Sequence, residues 1–278
     1  MSFRIQNNLA AMNAQNSLET SQTAMQKSLA RLSSGYRINS AKDDAAGLAI
    51  SQGFRANIAS ATVAQRNISE ANALLQTAEG AMTSVGDILT RMKELATQAA
   101  SANVSAGGRT NISSEFVDLQ TEIDRIATST KYAGTALTTG AFTGQAFQIG
   151  YTNTTADSQI SVTIANIGTA STGINVASAA VSSAASALAA MATIDTAVAT
   201  LATDRAQIGS YQNRLGYAAS NLSVTLENMS ASESVIRDVD MAAEMTNFTK
   251  NQILVQAGTA MLAQANSAPQ QILSLLKG

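Results

Sequence analysis

Apolar residues in this sequence recur by alternate threes and fours for about thirty residues at a time, well beyond what a globular helix needs. In the first half the run is Ile68, Ala71, Leu75, Ala78, Met82, Val85, Leu89, Met92, Ala96 and Ala99. In the second half it is Met191, Ile194, Val198 and Leu201, then, passing over Arg205 and Gln212, Ile208, Leu215, Ala219, Leu222, Leu226 and Met229. A chain patterned in this way is confined to long helices that bury narrow stripes against one another. A shorter run in the same spacing, Ile112, Phe116, Leu119, Ile123 and Ile126, predicts a third helix between the two. The fold class expected is mainly α, a coiled-coil helical rod of three helices.

Local chemistry predicts where these helices begin and end. In NSAKDDAAG, Ser40 and Asp43 have the spacing of a capping box, and Asp43 and Asp44 suit the positive end of a helix dipole. The long helix is therefore expected to start near Ala41. It is expected to stop around Gly107 and Gly108, with Asn111 or Ser113 capping its successor. At roughly 1.5 Å per residue, about sixty helical residues extend ~90 Å. Residues 131–177 lose the helical spacing, and FQIGYTN and QISVTIANI alternate as strands do, which predicts a small β-hairpin region packed on the rod. Its Ala- and Ser-rich exit, residues 177–190, reads as a linker or a weak helix start.

Histidine, cysteine and tryptophan are all absent. The first two losses remove the commonest general base, the commonest transition-metal ligand and every thiolate, so neither an enzyme nor a cofactor or metal site is expected. Asp43 and Asp44, with Glu19 or Glu244, read as cap and dipole residues and not as a hydrolytic carboxylate pair. Gly35, Gly47 and Gly53 lack the strand and spacing of a phosphate loop; Gly35 is expected to end the first helix. Seventeen basic residues balance nineteen acidic ones at a net charge of −2, with no basic cluster, so no nucleic-acid partner is expected. No apolar run approaches the roughly 18 residues of a membrane span, and MSFRIQNNLAAMNAQ lacks the pattern of a cleaved signal peptide. A soluble chain, with no membrane partner and no use of the general secretory route, is the expectation.

Both ends are helical in pattern as well. Ile5, Leu9 and Met12, then Met25, Leu29 and Leu32, share one face; Met241, Met245, Phe248, Val255 and Leu262 do so at the other end. Asn16, Gln252 and Thr259 interrupt these seams with polar groups. Interrupted seams are marginal alone and favour partners that complete them. Pro269, the single proline, is expected to break or kink the last helix.

Three segments in order, FRIQNNLAAMNAQNSL at 3–18, LSSGYRINSAKDDAAGLAI at 32–50 and AQANSAPQQILSLLKG at 263–278, resemble the signature of bacterial flagellins. The resemblance covers roughly residues 1–130 and 185–278, and points to a short form with little or no variable outer domain. It implies a structural subunit that polymerises into the flagellar filament for motility. It implies an inner terminal coiled-coil domain pairing residues 1–43 with 236–278, and an outer helical rod domain of residues 44–235 that includes the 131–177 hairpin region. Export through the flagellar type III apparatus without a cleaved signal peptide, and an extracellular location in the filament, follow from the same resemblance. So do a homopolymeric partner and an export chaperone, cap and hook-associated proteins. Hook-filament junction proteins share the terminal pattern and are the alternative within the resemblance. The alternative of a different class is a secreted membrane-active helical protein, which few flanking Lys and Arg and no Trp disfavour.

The resemblance and the spacing together select candidate residues. Ile5, Leu9, Met12, Phe248, Ile253, Leu254 and Leu262 are terminal candidates for assembly and chaperone contact. Leu95 lies one position before the seam residue Ala96, so the spacing places it off the seam as an exposed apolar residue, with Arg91 one turn earlier on the same face. The stretch TRMKELATQ resembles the flagellin segment recognised by a host Toll-like receptor, and Arg91, Leu95 and, on the next helix, Glu115 fall on its motif positions. These three are the candidates for subunit contact and receptor recognition.

Overall fold

The computed structural model describes the backbone of residues 7–277 and the side chains of residues 7–267. In chain order the elements are α1 (Leu9–Ser34), α2 (Ala45–Ala100), α3 (Ala106–Ser129), β1 (Lys131–Tyr132), β2 (Thr135–Ala136), β3 (Gln145–Gln148), α4 (Thr155–Ser158), β4 (Gln159–Val162), α5 (Ala184–Arg237) and α6 (Met241–Lys277). The mainly α expectation is met. Two compact units emerge, one of Asn57–Glu227 and one of Met1–Ala56 with Asn228–Gly278, the divisions falling inside α2 and α5.

In the first of these units, α2, α3 and α5 bury the stripes that the spacing marks. Every seam residue from Ile68 to Ala99 is at most 1% exposed. On α5 the buried positions Ile194, Leu201, Ile208, Leu215 and Leu222 recur every seven residues, as a coiled-coil seam requires. Val198 is a correction: it is 40% exposed, and Ala197 is buried in its place. The stripe passes Ala190, Ile194, Ala197 and Leu201 in steps of four, three and four, and a side chain at 198 falls outside that phase. The two polar positions that break the seam, Arg205 and Gln212, both turn to Glu79 of α2. Gln212 Nε2 donates to Glu79 Oε2 at 3.1 Å, and the Arg205 guanidinium lies 4.0 Å from Oε1.

Helix ends depart from the predicted ones for identifiable reasons. The Asp43 carboxylate accepts from the Ser40 N–H and hydroxyl, closing a turn, so Asp44 caps α2 instead by accepting from Gly47 N at 2.8 Å. The helix therefore starts at Ala45, not near Ala41. At its other end α2 stops at Ala100, and Gly107 and Gly108 belong to the first turn of α3, which Ser105 caps by accepting from Gly108 N. Arg109 Nε donates to Ala99 O at 2.8 Å and its Nη2 to Ser101 O at 2.9 Å, satisfying carbonyls that the end of α2 leaves free. α5 starts at Ala184 through a reciprocal bond pair: Ser183 N donates to Ser186 Oγ and Ser186 N to Ser183 Oγ.

The β region forms two antiparallel pairs, β1 with β2 and β3 with β4, the latter in the register Gln145↔Val162 to Gln148↔Gln159. The first strand thus lies slightly before the predicted FQIGYTN. Ile160, Val162, Ile164 and Ile167 join the same core as the helices. α3 holds the return of the chain with polar clamps. Asp124 accepts from Thr169 N and Oγ1, both at 2.8 Å, and Gln120 Nε2 donates to the carbonyls of Val176 and Ala179.

Two further expectations change. α5 contains an 18-residue window long and apolar enough to cross a membrane by composition, contrary to the reading that no such run exists. Within its unit, Ala187, Ala190, Ile194 and Ala197 of this helix are core residues. α6 also continues through Pro269 to Lys277 rather than ending there.

Candidate assembly surface

α1 and α6 pair along most of their length. Asn8 starts α1 twice over: its Oδ1 accepts from Ala11 N at 3.1 Å, and its Nδ2 donates to Ala265 O of α6 at 2.8 Å. Gly35, at φ 75°, ends α1 in the left-handed conformation as expected, its N–H bonding Arg31 O at 2.8 Å. Asp240 caps α6, its Oδ1 accepting from Ala242 N and Ala243 N. Between these caps the two connecting segments clasp each other. Tyr36 and Asp238 form an antiparallel bridge, Arg37 N donates to Arg237 O, Val239 N donates to Gly35 O, and the Arg237 guanidinium stands 3.9 Å from the centre of the Tyr36 ring.

The α1–α6 seam mixes small and polar groups with larger apolar ones. On α1 the covered positions include Ala11, Ala14, Leu18, Ser21 and Ser28; on α6 they include Glu244, Phe248, Val255, Gly258 and Leu262. Gly258 lets the helices approach, since a Cβ there would stand 3.2 Å from Leu18 Cδ1. Glu244 is buried with its carboxylate 3.4 Å from Arg31, whose Nε finds no partner. Among the described residues of these two helices, only Ser28 and Glu244 are fully buried.

Several other large apolar side chains are left outside that seam. Leu9 is 62% exposed, Met12 56%, Ile253 59% and Leu254 44%. Leu29, Met241, Met245 and Met261 are also exposed. The expected pattern is corrected here: Leu9, Met12, Leu29, Met241 and Met245 do not close the intramolecular pair. The expected Met25, Leu32, Phe248, Val255 and Leu262 are covered, together with Leu18 and small residues such as Gly258 that let the backbones come together. Phe248 and Leu262 are half-buried in the seam, and Ile5 lies outside the described residues. Met261 escaped the sequence reading, although it stands seven residues after Leu254, on the same helical face. So many large apolar side chains without a cover on two helices are unusual for a chain that stays alone.

The second group of candidates is only partly brought together. Arg91 Nη2 donates to Glu115 Oε1 at 2.8 Å and Nη1 to Glu94 Oε2 at 3.0 Å, and these carboxylates raise the Arg91 pKa further above its ordinary range. All three side chains are about half exposed, at 52%, 46% and 62%. Leu95 is a correction: it is 1% exposed and belongs to the core. At this level α2 is gripped on two sides, by α3 through Arg91–Glu115 and Arg109–Ala99, and by α5 through the Lys93–Asp195 pair at 2.5 Å. A helix with two partners buries a wider stripe than one seam, and adjacent positions such as Leu95 and Ala96 are both covered. Among the described residues no group of three or more His, Cys, Asp or Glu could hold a metal ion.

Comparison with known proteins agrees with this architecture. Residues 5–143 match the family model described as "Bacterial flagellin N-terminal helical region", and residues 191–276 match "Bacterial flagellin C-terminal helical region". The chain is 40% identical to "Flagellin" of Bacillus subtilis, over 99% of this chain and 100% of that protein. It is also 40% identical to "Flagellar filament 33 kDa core protein" of Treponema phagedenis, over 98% of this chain and 99% of that one. The crystal structure of Bacillus cereus flagellin superposes with a TM-score of 0.50 at 27% identity, covering 60% of this chain and 94% of that one. Matches at both ends, in the right order, and identity sustained across almost the whole length establish that this chain belongs to the bacterial flagellin family.

Proposed function

We propose that this chain is a structural subunit of the bacterial flagellar filament and that α1 and α6 carry its polymerisation. The observation behind the mechanism is that their pairing leaves Leu9, Met12, Ile253, Leu254 and Met261 uncovered. Burying one such side chain against another copy contributes roughly 1.5–3 kcal/mol, so a handful per subunit is enough to drive association. Full-length relatives carry flagellin and filament-core names, which disfavours the hook-filament junction and membrane-active readings. The family's role is structural, and no catalytic step enters the mechanism. Seeded growth followed by electron microscopy tests the reading: the purified chain should extend flagellar seeds into filaments, and a chain that stays soluble with competent seeds refutes it.

The finer parts of the reading belong to the same proposal. Residues 1–43 with 236–278 form the inner layer of the filament, and residues 44–235 the outer one. The subunit travels through the flagellar type III apparatus to an extracellular filament, meeting a chaperone on Phe248, Ile253, Leu254 and Leu262 and then cap and hook-associated proteins. A host Toll-like receptor recognises the exposed Arg91–Glu115 corner, while Leu95 supports that corner from the core without touching the receptor. Arg91→Ala should weaken receptor activation by monomer at unchanged thermal stability; full signalling by the variant refutes the receptor contact.

A further inference from the structure

Among the described methionines exposure differs by helix, with Met25 of α1 and Met191 of α5 partly covered. Met82 and Met92, in the α2 core, are 0% exposed, and Met229 is buried. Met12, Met241, Met245 and Met261, all on α1 or α6, are exposed by 56%, 49%, 50% and 63%. The chain has no cysteine, so no thiol competes for a two-electron oxidant before these thioethers do. Leucine at the same places would pack as well and resist oxidation.

We propose that Met12, Met241, Met245 and Met261 form an oxidation-sensitive set through which peroxide or hypohalous oxidants block assembly of the free subunit. The inference rests on the filament reading given above. The chemistry is oxygen transfer to sulfur: the thioether and hydrogen peroxide give the sulfoxide and water, or with hypochlorous acid the sulfoxide, chloride and a proton. Sulfur is oxidised by two electrons and the oxidant reduced by two. Each sulfoxide carries a strong acceptor that water satisfies in the free subunit, so its burial against a second copy costs that hydration and is opposed. The monomer itself tolerates the change, because these side chains are already in water. Reduction by two thiols returns the thioether, a disulfide and water, which makes the block reversible by the methionine sulfoxide reductase class of enzyme. Once the faces are buried in a filament, the same sulfurs are shielded.

The test uses the full-length chain. Monomer is treated with graded hydrogen peroxide, mapped by peptide mass spectrometry, checked by circular dichroism and then offered flagellar seeds. The four exposed methionines should gain oxygen first, Met82 and Met92 should stay unmodified, and the critical concentration for growth should rise by about tenfold, a factor worth roughly 1.4 kcal/mol. Treatment of the oxidised monomer with both epimer-specific methionine sulfoxide reductases and a dithiol should restore growth. The quadruple variant Met12→Leu, Met241→Leu, Met245→Leu, Met261→Leu should polymerise after peroxide as before it. Oxidised monomer that grows at the untreated critical concentration overturns the proposal, as does lost growth that the two reductases together do not restore. Untreated monomer that fails to extend seeds refutes the filament reading itself, so the two failures are distinguishable.

Discussion

Leu95 and Ala96 are sequence neighbours, and both are buried because α2 has a partner on each side. Truncation of Leu95 leaves a cavity in a packed core, so Leu95→Ala should cost about 2–5 kcal/mol. Thermal unfolding of the variant should show this loss, whereas Arg91→Ala, at an exposed pair 52% open to solvent, should leave the melting temperature unchanged. Equal small effects in the two variants would contradict the burial of Leu95. Any assembly defect of Leu95→Ala is therefore an effect on the fold and not evidence of a subunit contact. The spacing that selected Arg91 and Glu115 did place two residues that meet. It misjudged Leu95 because a periodic pattern shows one stripe and is silent on how many helices cover it.

At the scale of elements, the corner between α1 and α2 is tied by charge. Asp43 accepts from Ser40 and pairs with Lys27 of α1 at 2.9 Å; the hydrogen bond from Lys27, ahead of those from Ser40, lowers its pKa from 3.8 to about 2. A carboxylate depressed in the folded state contributes stability that is present above the unfolded value and lost as pH falls through the folded one. The corner should therefore loosen between about pH 4 and pH 2. An NMR titration of Asp43 checks the lowered value, and Lys27→Met should move it back towards 3.8. A titration unchanged by that substitution would leave the ion pair without a role. The start of α5 depends on a local device of another kind: Ser183→Ala removes the acceptor for Ser186 N and should cost about 1 kcal/mol, measured by thermal melting. Of these local devices only the start of α2 was anticipated, as a capping box of Ser40 and Asp43, whereas Asp44 makes the cap.

For the whole molecule, the contrast between the two units sets the expected behaviour. The unit of Asn57–Glu227 has a continuous core, whereas α1 and α6 bury little beyond Ser28 and Glu244. In dilute monomer α1 and α6 should be cut first by protease and should gain helicity, seen by circular dichroism, when subunits join seeds. Protease-resistant α1 and α6 in dilute monomer would contradict this. Removing residues 263–278 should abolish filament growth while the melting of the 57–227 unit is retained. Loss of both together would mean that the unit depends on the C-terminal end.

The spacing of Ile68 to Ala99 and of Ile194 to Leu222 was enough to determine two long helices and their buried faces, because a seam repeated over many turns has one solution. The signature segments near both ends were enough to indicate the family. Tertiary structure decided the rest. It chose Ala197 over Val198, covered Leu95 from a second side, and closed the α1–α6 pair with Leu18 and Phe248 beside Ala14 and Gly258 while leaving Leu9 and Met12 outside. Each of these choices depends on how near a second backbone can come, a distance set by the size of the facing side chains and not by periodicity along a single helix.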